Sequence, residues 1–472
     1  MSRGSQVIKT TAIYFIGNFA SKLLAFFLLP LYTAYLTSED FGNVDLLIST
    51  LPLIAPIFTL QVTEAVFRFL CTDENLEDRK KSISNSFMIF SIGILIFTIL
   101  YIPFFIKFNL TYPLLFFIYF IVTYMGIFFQ QILRGLQRTV EYALTGVIST
   151  AIHATMNILL IIKFGMGGES LLISSIGGSL VIAIFISIRI KIWEFIDLTK
   201  ISKLEIKKQL KYGVPLIPNQ ISWWIIGLLG KYILLYFHGS SDNGILAVAS
   251  KFPGLLTTIN SIFFLAWTEN VIREFESEDR DEYYSKGFQL FSKFTFCSAA
   301  CLLPVIKIYN MTTITGEFVD AWKYVPVLII GTSFNSLAAF LGTVYTASMK
   351  TRDAFTTTVI AAVSNFILSL LMIPIFSIWG VALANMLSFI VLFFVRIKSV
   401  NTIIKFKFRF IQMIPSILLL IVSIIGYYTL NIYNQIILFL ILAIGALIIN
   451  KRIVIEIVNF IKNLKNKSCI QK

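Results

Sequence analysis

The chain has 472 residues, 57% of them hydrophobic and only 14% charged, where soluble domains run at about 45–50% apolar and about 25% charged. With a mean hydropathy of +0.83, its principal solvent is lipid, and no stretch is long or polar enough to form a separate soluble enzyme domain. The formal net charge of +14 would point to nucleic acid in a soluble chain, but in a membrane chain it follows from basic cytoplasmic loops, so no nucleic acid partner is expected.

In chain order, apolar windows of about 20 residues predict fourteen membrane helices. They lie near 11–36, 43–70, 85–106, 111–133, 143–162, 170–188, 213–236, 244–270, 287–309, 324–347, 354–375, 378–395, 410–430 and 434–450. With the N-terminus inside, 30 of the 39 Lys and Arg fall on the inner segments, and only Lys107, Lys163, Lys307 and Lys323 fall on the outer ones. The remaining five, Lys22, Arg68, Lys231, Lys251 and Lys293, fall inside spans. A missing or extra span would scramble that alternation, so both termini are expected in the cytoplasm of a multi-pass inner-membrane protein.

The sequence also repeats. Gly42-Asn43-Val44-Asp45-Leu46 opens span two and Gly244-Ile245-Leu246-Ala247-Val248 opens span eight, with Pro52 and Pro253 at similar depth. Thr63-Glu64 is echoed by Thr268-Glu269, and Asn157 by Asn365; the offsets are 202, 205 and 208 residues. A period of six helices predicts two parallel, pseudo-symmetric six-helix bundles, an architecture suited to rocking. The fold class expected is an all-α polytopic membrane protein with an N-terminal lobe at 1–200, a C-terminal lobe at 201–400, two additional helices at 401–450 and a basic tail at 451–472.

Lys22 lies eleven residues from Thr11 in span one, about 16 Å of helix rise. An ammonium at that depth costs at least ~2.5 kcal/mol unless it meets water, an anion or a partner. Asn18 lies one turn away on the same face, so the pair reads either as a contact for an anionic substrate group or as a structural lysine with its partner. Glu64 and Arg68 are four apart, a spacing that allows an ion pair; Glu64 reads either as an ion-coupling acid or as half of that local pair. Lys231 and Lys251 lie six or seven residues from the outer ends of spans seven and eight, and either snorkel outward or join Lys22 and Arg68 in a cationic chamber suited to phosphate. Trp223 and Trp224 lie deeper than an interfacial belt, beside Asn219, Gln220 and Ser222; they read as sugar-stacking rings or as bundle packing. There is no GxxxxGK[ST] loop, no GxSxG elbow and no metal-ligand cluster, so no cofactor and no enzyme chemistry is expected.

The stretches Lys22-Leu23-Leu24-Ala25-Phe26, Pro30-Leu31-Tyr32 and Leu36-Thr37-Ser38-Glu39-Asp40-Phe41-Gly42 resemble the opening of bacterial polysaccharide-biosynthesis membrane proteins. So do Arg134-Gly135-Leu136-Gln137-Arg138, Leu210-Lys211-Tyr212-Gly213-Val214-Pro215-Leu216-Ile217-Pro218 and Ala321-Trp322-Lys323-Tyr324-Val325-Pro326. The resemblance covers most of the first twelve spans. It implies a flippase for oligosaccharide repeat units in the multidrug/oligosaccharidyl-lipid/polysaccharide exporter superfamily, with two lobes around a central cationic cavity. It further implies an undecaprenyl-diphosphate-linked glycan (O-antigen, capsule or exopolysaccharide) as substrate, moved by alternating access while its lipid tail stays in the bilayer. Lys22, Arg68, Lys231 and Lys251 are the matching cavity cations and Glu64 the matching coupling residue. A monomer is expected, working beside the pathway's polymerase and glycosyltransferases. A lipid II flippase of the same superfamily and a multidrug/cation exporter are the competing readings; cationic drugs would favour an acidic chamber, whereas the deepest charge here is Lys22.

Overall fold

The computed structural model describes residues 26–451 apart from 74, 108–110, 274, 276 and 407–409. Every regular element among them is helical, as required of backbone in hydrocarbon, where each N–H and C=O must be satisfied within its own segment. Twelve helices among the described residues are long and apolar enough to cross a membrane. Of the predicted fourteen, span one lies largely outside the described residues, and so does the basic tail. Spans two and eight are each broken into two helices.

By contacts the chain forms two units, Met1–Ala247 with Thr315–Phe318, and Val248–Ile314 with Val319–Lys472. The first contains α1 (Leu29–Tyr35), α2 (Ser38–Thr59), α3 (Val62–Leu70), α4 (Leu76–Lys107), α5 (Pro113–Gly135), α6 (Thr139–Ile158), α7 (Glu169–Ile190), α8 (Lys203–Gly213), α9 (Ile217–His238) and most of α10 (Ser240–Ala249). Thr37 caps α2 by accepting the Asp40 N–H, and Glu39 and Asp40 sit in its first turn, where carboxylates favour the positive helix end. A core of Val66, Leu70, Ile83, Phe128, Ile132 and Ile186 joins α3, α4, α5 and α7. Pro215 at the start of Val214–Leu216 turns the chain from α8 into α9 through one 3-10 turn, since proline withholds an amide donor. Within this unit α8 packs on α3 and α4, and α9 packs on α2.

The second unit contains α11 (Pro253–Arg273), α12 (Arg280–Thr313), α13 (Val325–Ala347), α14 (Thr351–Phe376), α15 (Ile378–Val400), α16 (Ile414–Thr429) and α17 (Ile432–Ile449). Here α13 and α14 both pack on α15, and the two additional helices α16 and α17 pack on α12. Ser423 of α16 donates to the Ala300 carbonyl, and Tyr427 donates to the Trp322 carbonyl. The Lys307 ammonium, near the end of α12, lies 2.9 Å from the ring centre of Trp322 in the 3-10 segment Gly316–Tyr324 and 5.3 Å from that of Tyr427 on α16, a buried cation–π cluster that joins the three.

The two asparagines paired in the sequence repeat are both buried. Buried Asn157 on α6 donates to Ser174 on α7, and buried Asn365 on α14 donates to Asn385 on α15. Each amide clasps its helix to the next. The two glycines that open the repeated motif meet directly. A Cβ at Gly42 would run into the Ser240 carbonyl, and one at Gly244 would run into the Ser38 carbonyl. Ser38 and Ser240 stand four residues before their respective glycines, so the contact is reciprocal.

Candidate functional site

The first half of α2 brings Asp45 and Ser49 onto one face at a spacing of four, and α9 brings Trp224 and Lys231 onto one face at a spacing of seven. These faces meet. The Lys231 ammonium pairs with Asp45 Oδ2 and donates to Ser49 Oγ at 3.2 Å, with Lys231 8% and Asp45 9% exposed. Trp224 Nε1 donates to the Ser49 carbonyl at 2.8 Å, and the hydroxyls of Tyr232 and Thr50 share a hydrogen bond. Asn243 on α10 donates to the Lys231 carbonyl at 2.9 Å. Two charges that would each be costly alone at membrane depth are therefore paired inside a polar seam. Beside it an apolar groove of about 560 Å³ is lined by Leu46, Thr50, Phe58, Phe97, Tyr101 and Tyr232.

At the start of the same seam the Ser38 backbone N–H and hydroxyl both donate to Glu317 Oε2, at 2.8 Å and 2.5 Å. The Ser38 and Ser241 hydroxyls lie 2.6 Å apart. Charge and backbone thus converge where Gly42 and Gly244 permit close approach.

At the other end of α2 the helix stops. Leu60 and Gln61 both take left-handed backbone, with φ of 50° and 56°, and α3 starts afresh at Val62. Glu64 stands in the first turn of α3, where its Oε1 accepts the Gln131 side-chain amide from α5 at 3.2 Å. A cavity of about 230 Å³ at the break is lined by Pro56, Thr59, Gln61, Glu64, Tyr124 and Gln220, among others.

The seam unites two of the residues singled out in the sequence, Lys231 and Trp224. Trp223 is half-buried on the same helix. Arg68 is exposed at the end of α3; Glu64 turns to Gln131, and no ion pair joins Glu64 to Arg68. Lys251 lies exposed in the turn between α10 and α11, because the predicted span eight breaks there ahead of Pro253. Lys22 and Asn18 lie outside the described residues. The seam also contains Asp45, Ser49 and Tyr232, which sequence reasoning did not single out. Asp45 stands inside the repeated Gly42–Leu46 motif, and an acid within a span is itself the signal for a buried cationic partner. Trp224→Phe is expected to cost more than about 1 kcal/mol, because it deletes one buried hydrogen bond and leaves part of the indole's space empty; urea-dependent unfolding in detergent measures it.

The family model for polysaccharide biosynthesis proteins matches residues 7–272, more than half of the chain. No curated protein matches the sequence. Among solved structures, the chain is similar to a lipid II flippase, MurJ, in an inward closed conformation, at 19% identity and a TM-score of 0.72, over 95% of this chain and 100% of that one. It is also similar to an inward-facing MATE-family multidrug resistance transporter of the MOP superfamily, at 15% identity and a TM-score of 0.58, over 83% of this chain and 95% of that one. A third similar structure is a MOP superfamily transporter from Pyrococcus furiosus, described as having a binding pocket of reversed polarity, at 14% identity and a TM-score of 0.55, over 84% of this chain and 95% of that one. At these identities the likenesses establish the fold alone, which the chain shares with those three structures.

Proposed function

Because the chain belongs to the polysaccharide biosynthesis protein family, we propose that it flips a lipid-linked oligosaccharide repeat unit from the cytoplasmic to the outer leaflet. The substrate proposed is an undecaprenyl-diphosphate-linked glycan destined for O-antigen, capsule or exopolysaccharide. The observation that carries this reading is the family match over residues 7–272, in a chain with a transporter fold. The distribution of Lys and Arg supports an inner-membrane protein with both termini in the cytoplasm. That orientation puts the Ser38 end of α2 outside and the α2–α3 break toward the cytoplasm.

In the mechanism proposed, the repeat-related halves rock about a cavity, the diphosphate and sugars cross through it, and the lipid tail remains in the bilayer. Lys22, with Asn18 beside it, supplies the deep anion contact; Arg68 and Lys251 supply outlying positive charge. Lys231, engaged by Asp45, meets the diphosphate only in a conformation where that pair opens. Trp223 and Trp224 offer ring faces to the sugars, and Glu64 couples transport to an ion gradient. The chain works as a monomer beside the polymerase and glycosyltransferases of its pathway. A second reading, a lipid II flippase, is favoured by the similarity to MurJ over that protein's whole length.

Lipid extraction from cells lacking the protein tests both readings. A complete undecaprenyl-diphosphate-linked repeat unit on the cytoplasmic face, identified by mass spectrometry, is the expected result. Accumulation of lipid II instead favours the second reading, and normal pools with normal surface glycan overturn both, provided the cells hold no second flippase. Lys22→Ala is expected to abolish surface glycan while the protein still reaches the membrane in wild-type amount; wild-type export by this variant removes the central anion contact.

A further inference from the structure

We infer that the break between α2 and α3 is a binding site for a hard monovalent metal cation such as sodium, with Glu64 as its charged ligand. This deepens the coupling role proposed for Glu64 and rests on that reading only for its use in transport.

The backbone provides the first observation. Leu60 and Gln61 are consecutive non-glycine residues in left-handed conformation, a geometry that costs about 1–3 kcal/mol per residue and persists where surrounding structure demands it. A continuous helix would bond their N–H groups to the Pro56 and Ile57 carbonyls. Among the described residues neither N–H makes such a bond of normal geometry; the Leu60 carbonyl packs against Gly213 of α8, while Pro56 lines the cavity. Oxygens left open at the negative end of a 22-residue helix attract positive charge, and in hydrocarbon they are costly without a partner.

Side chains provide the second observation. Gln61 is only 6% exposed and lines the cavity at the break, so its side-chain amide can offer an oxygen there. Thr59 Oγ1, in the same lining, donates its proton to the Ala55 carbonyl at 2.7 Å and so keeps lone pairs to offer. Gln131, the partner of Glu64, has a buried side-chain oxygen with no donor.

Charge decides the class of ligand. Glu64 is the one carboxylate of the lining, and no lysine or arginine belongs to it. One full negative charge among neutral amide, hydroxyl and carbonyl oxygens suits a monovalent hard cation, because divalent calcium and magnesium sites gather more carboxylates or phosphates. No group of three His, Cys, Asp or Glu able to hold a metal occurs among the described residues, and the oxygen-only set disfavours soft transition metals. Broken helices in membranes provide such oxygens through their half-helix carbonyl ends.

The test uses the purified full-length protein in detergent, without glycan, melted in choline chloride and in sodium chloride at the same ionic strength and pH. Sodium is expected to raise the melting temperature of the wild type by mass action on the folded state. Glu64→Gln and Gln61→Leu are expected to lose that shift while melting like the wild type in choline. An equal shift in the wild type and Glu64→Gln, or none in the wild type, overturns the site. So does a wild-type shift that follows pH and ignores sodium, which assigns the carboxylate to protons. If either variant fails to fold, binding of radioactive sodium to the wild type decides: competition by unlabelled sodium but not choline supports the site, and no saturable binding overturns it. Since no glycan enters this assay, a negative result removes the cation site alone, while the lipid extracts judge the flippase reading separately.

Discussion

Lys231→Met is expected to destabilise the protein by about 3–5 kcal/mol, the usual consequence of removing one member of a buried ion pair. The variant leaves the Asp45 carboxylate enclosed beside Ser49 and Trp224 without its ammonium. Asp45→Asn strands the ammonium instead, and the double variant Asp45→Asn/Lys231→Met should recover much of either loss, because neither charge is then unmatched. Thermal and denaturant unfolding in detergent, arranged as a double-mutant cycle, reads the coupling. Strictly additive losses would show that the two charges do not depend on one another. The seam's short polar side chains explain why the effect should be large: Ser49 and Asn243 hold the lysine, and neither can neutralise a carboxylate.

Oxidising the double variant Ser38→Cys/Ser241→Cys is expected to stop the glycan export proposed for this chain completely, and a reducing agent is expected to restore it. The native hydroxyls lie 2.6 Å apart, close enough for two sulfurs to reach bonding distance with small side-chain adjustments. The four native cysteines, Cys71, Cys297, Cys301 and Cys469, are replaced first so that only this pair reports. Each single cysteine variant should export normally. Under alternating access, a covalent tie between the start of α2 and α10 holds one conformation, so cross-linking without loss of export would refute movement at this contact. Gly42→Leu offers the converse measurement. Its side chain would collide with the Ser240 carbonyl, and overpacking of this kind costs about 1–3 kcal/mol, so the variant should cross-link more slowly.

Much of the architecture was legible from hydropathy and charge. The twelve spans recovered among the described residues are continuous apolar runs, and a run of that length has one low-energy solution in lipid. The breaks were less legible. Span two reads as one apolar run through Leu60 and Gln61, and neither residue type announces a left-handed turn. Pro52 and Pro56 lie inside α2 without ending it, so the prolines did not mark the place. Span eight carried a clearer signal, because Pro253 follows Lys251 and Phe252 and proline favours the first turn of a new helix.

The site divides in the same way. A lysine within a span is expected to have a partner or a ligand wherever it lies, so Lys231 could be singled out from its depth alone. Its partner could not, since Asp45 is 186 residues away and only the packing of α9 on α2 brings the two together. Glu64 and Arg68 show the converse: their spacing permits a pair, but the neighbouring helix presents Gln131 to the acid and leaves the arginine exposed. The sequence by itself determined that this chain lives in a bilayer, that it is built of spanning helices and that it belongs among the polysaccharide biosynthesis proteins. Those properties follow from local composition and order, which lipid reads one span at a time. The tertiary structure alone decided which charges neutralise each other, where α2 breaks and that Gly42 meets Gly244. Such contacts depend on how separate helices dock, and docking between apolar surfaces in lipid turns on a few small and polar residues whose partners lie far away in the chain.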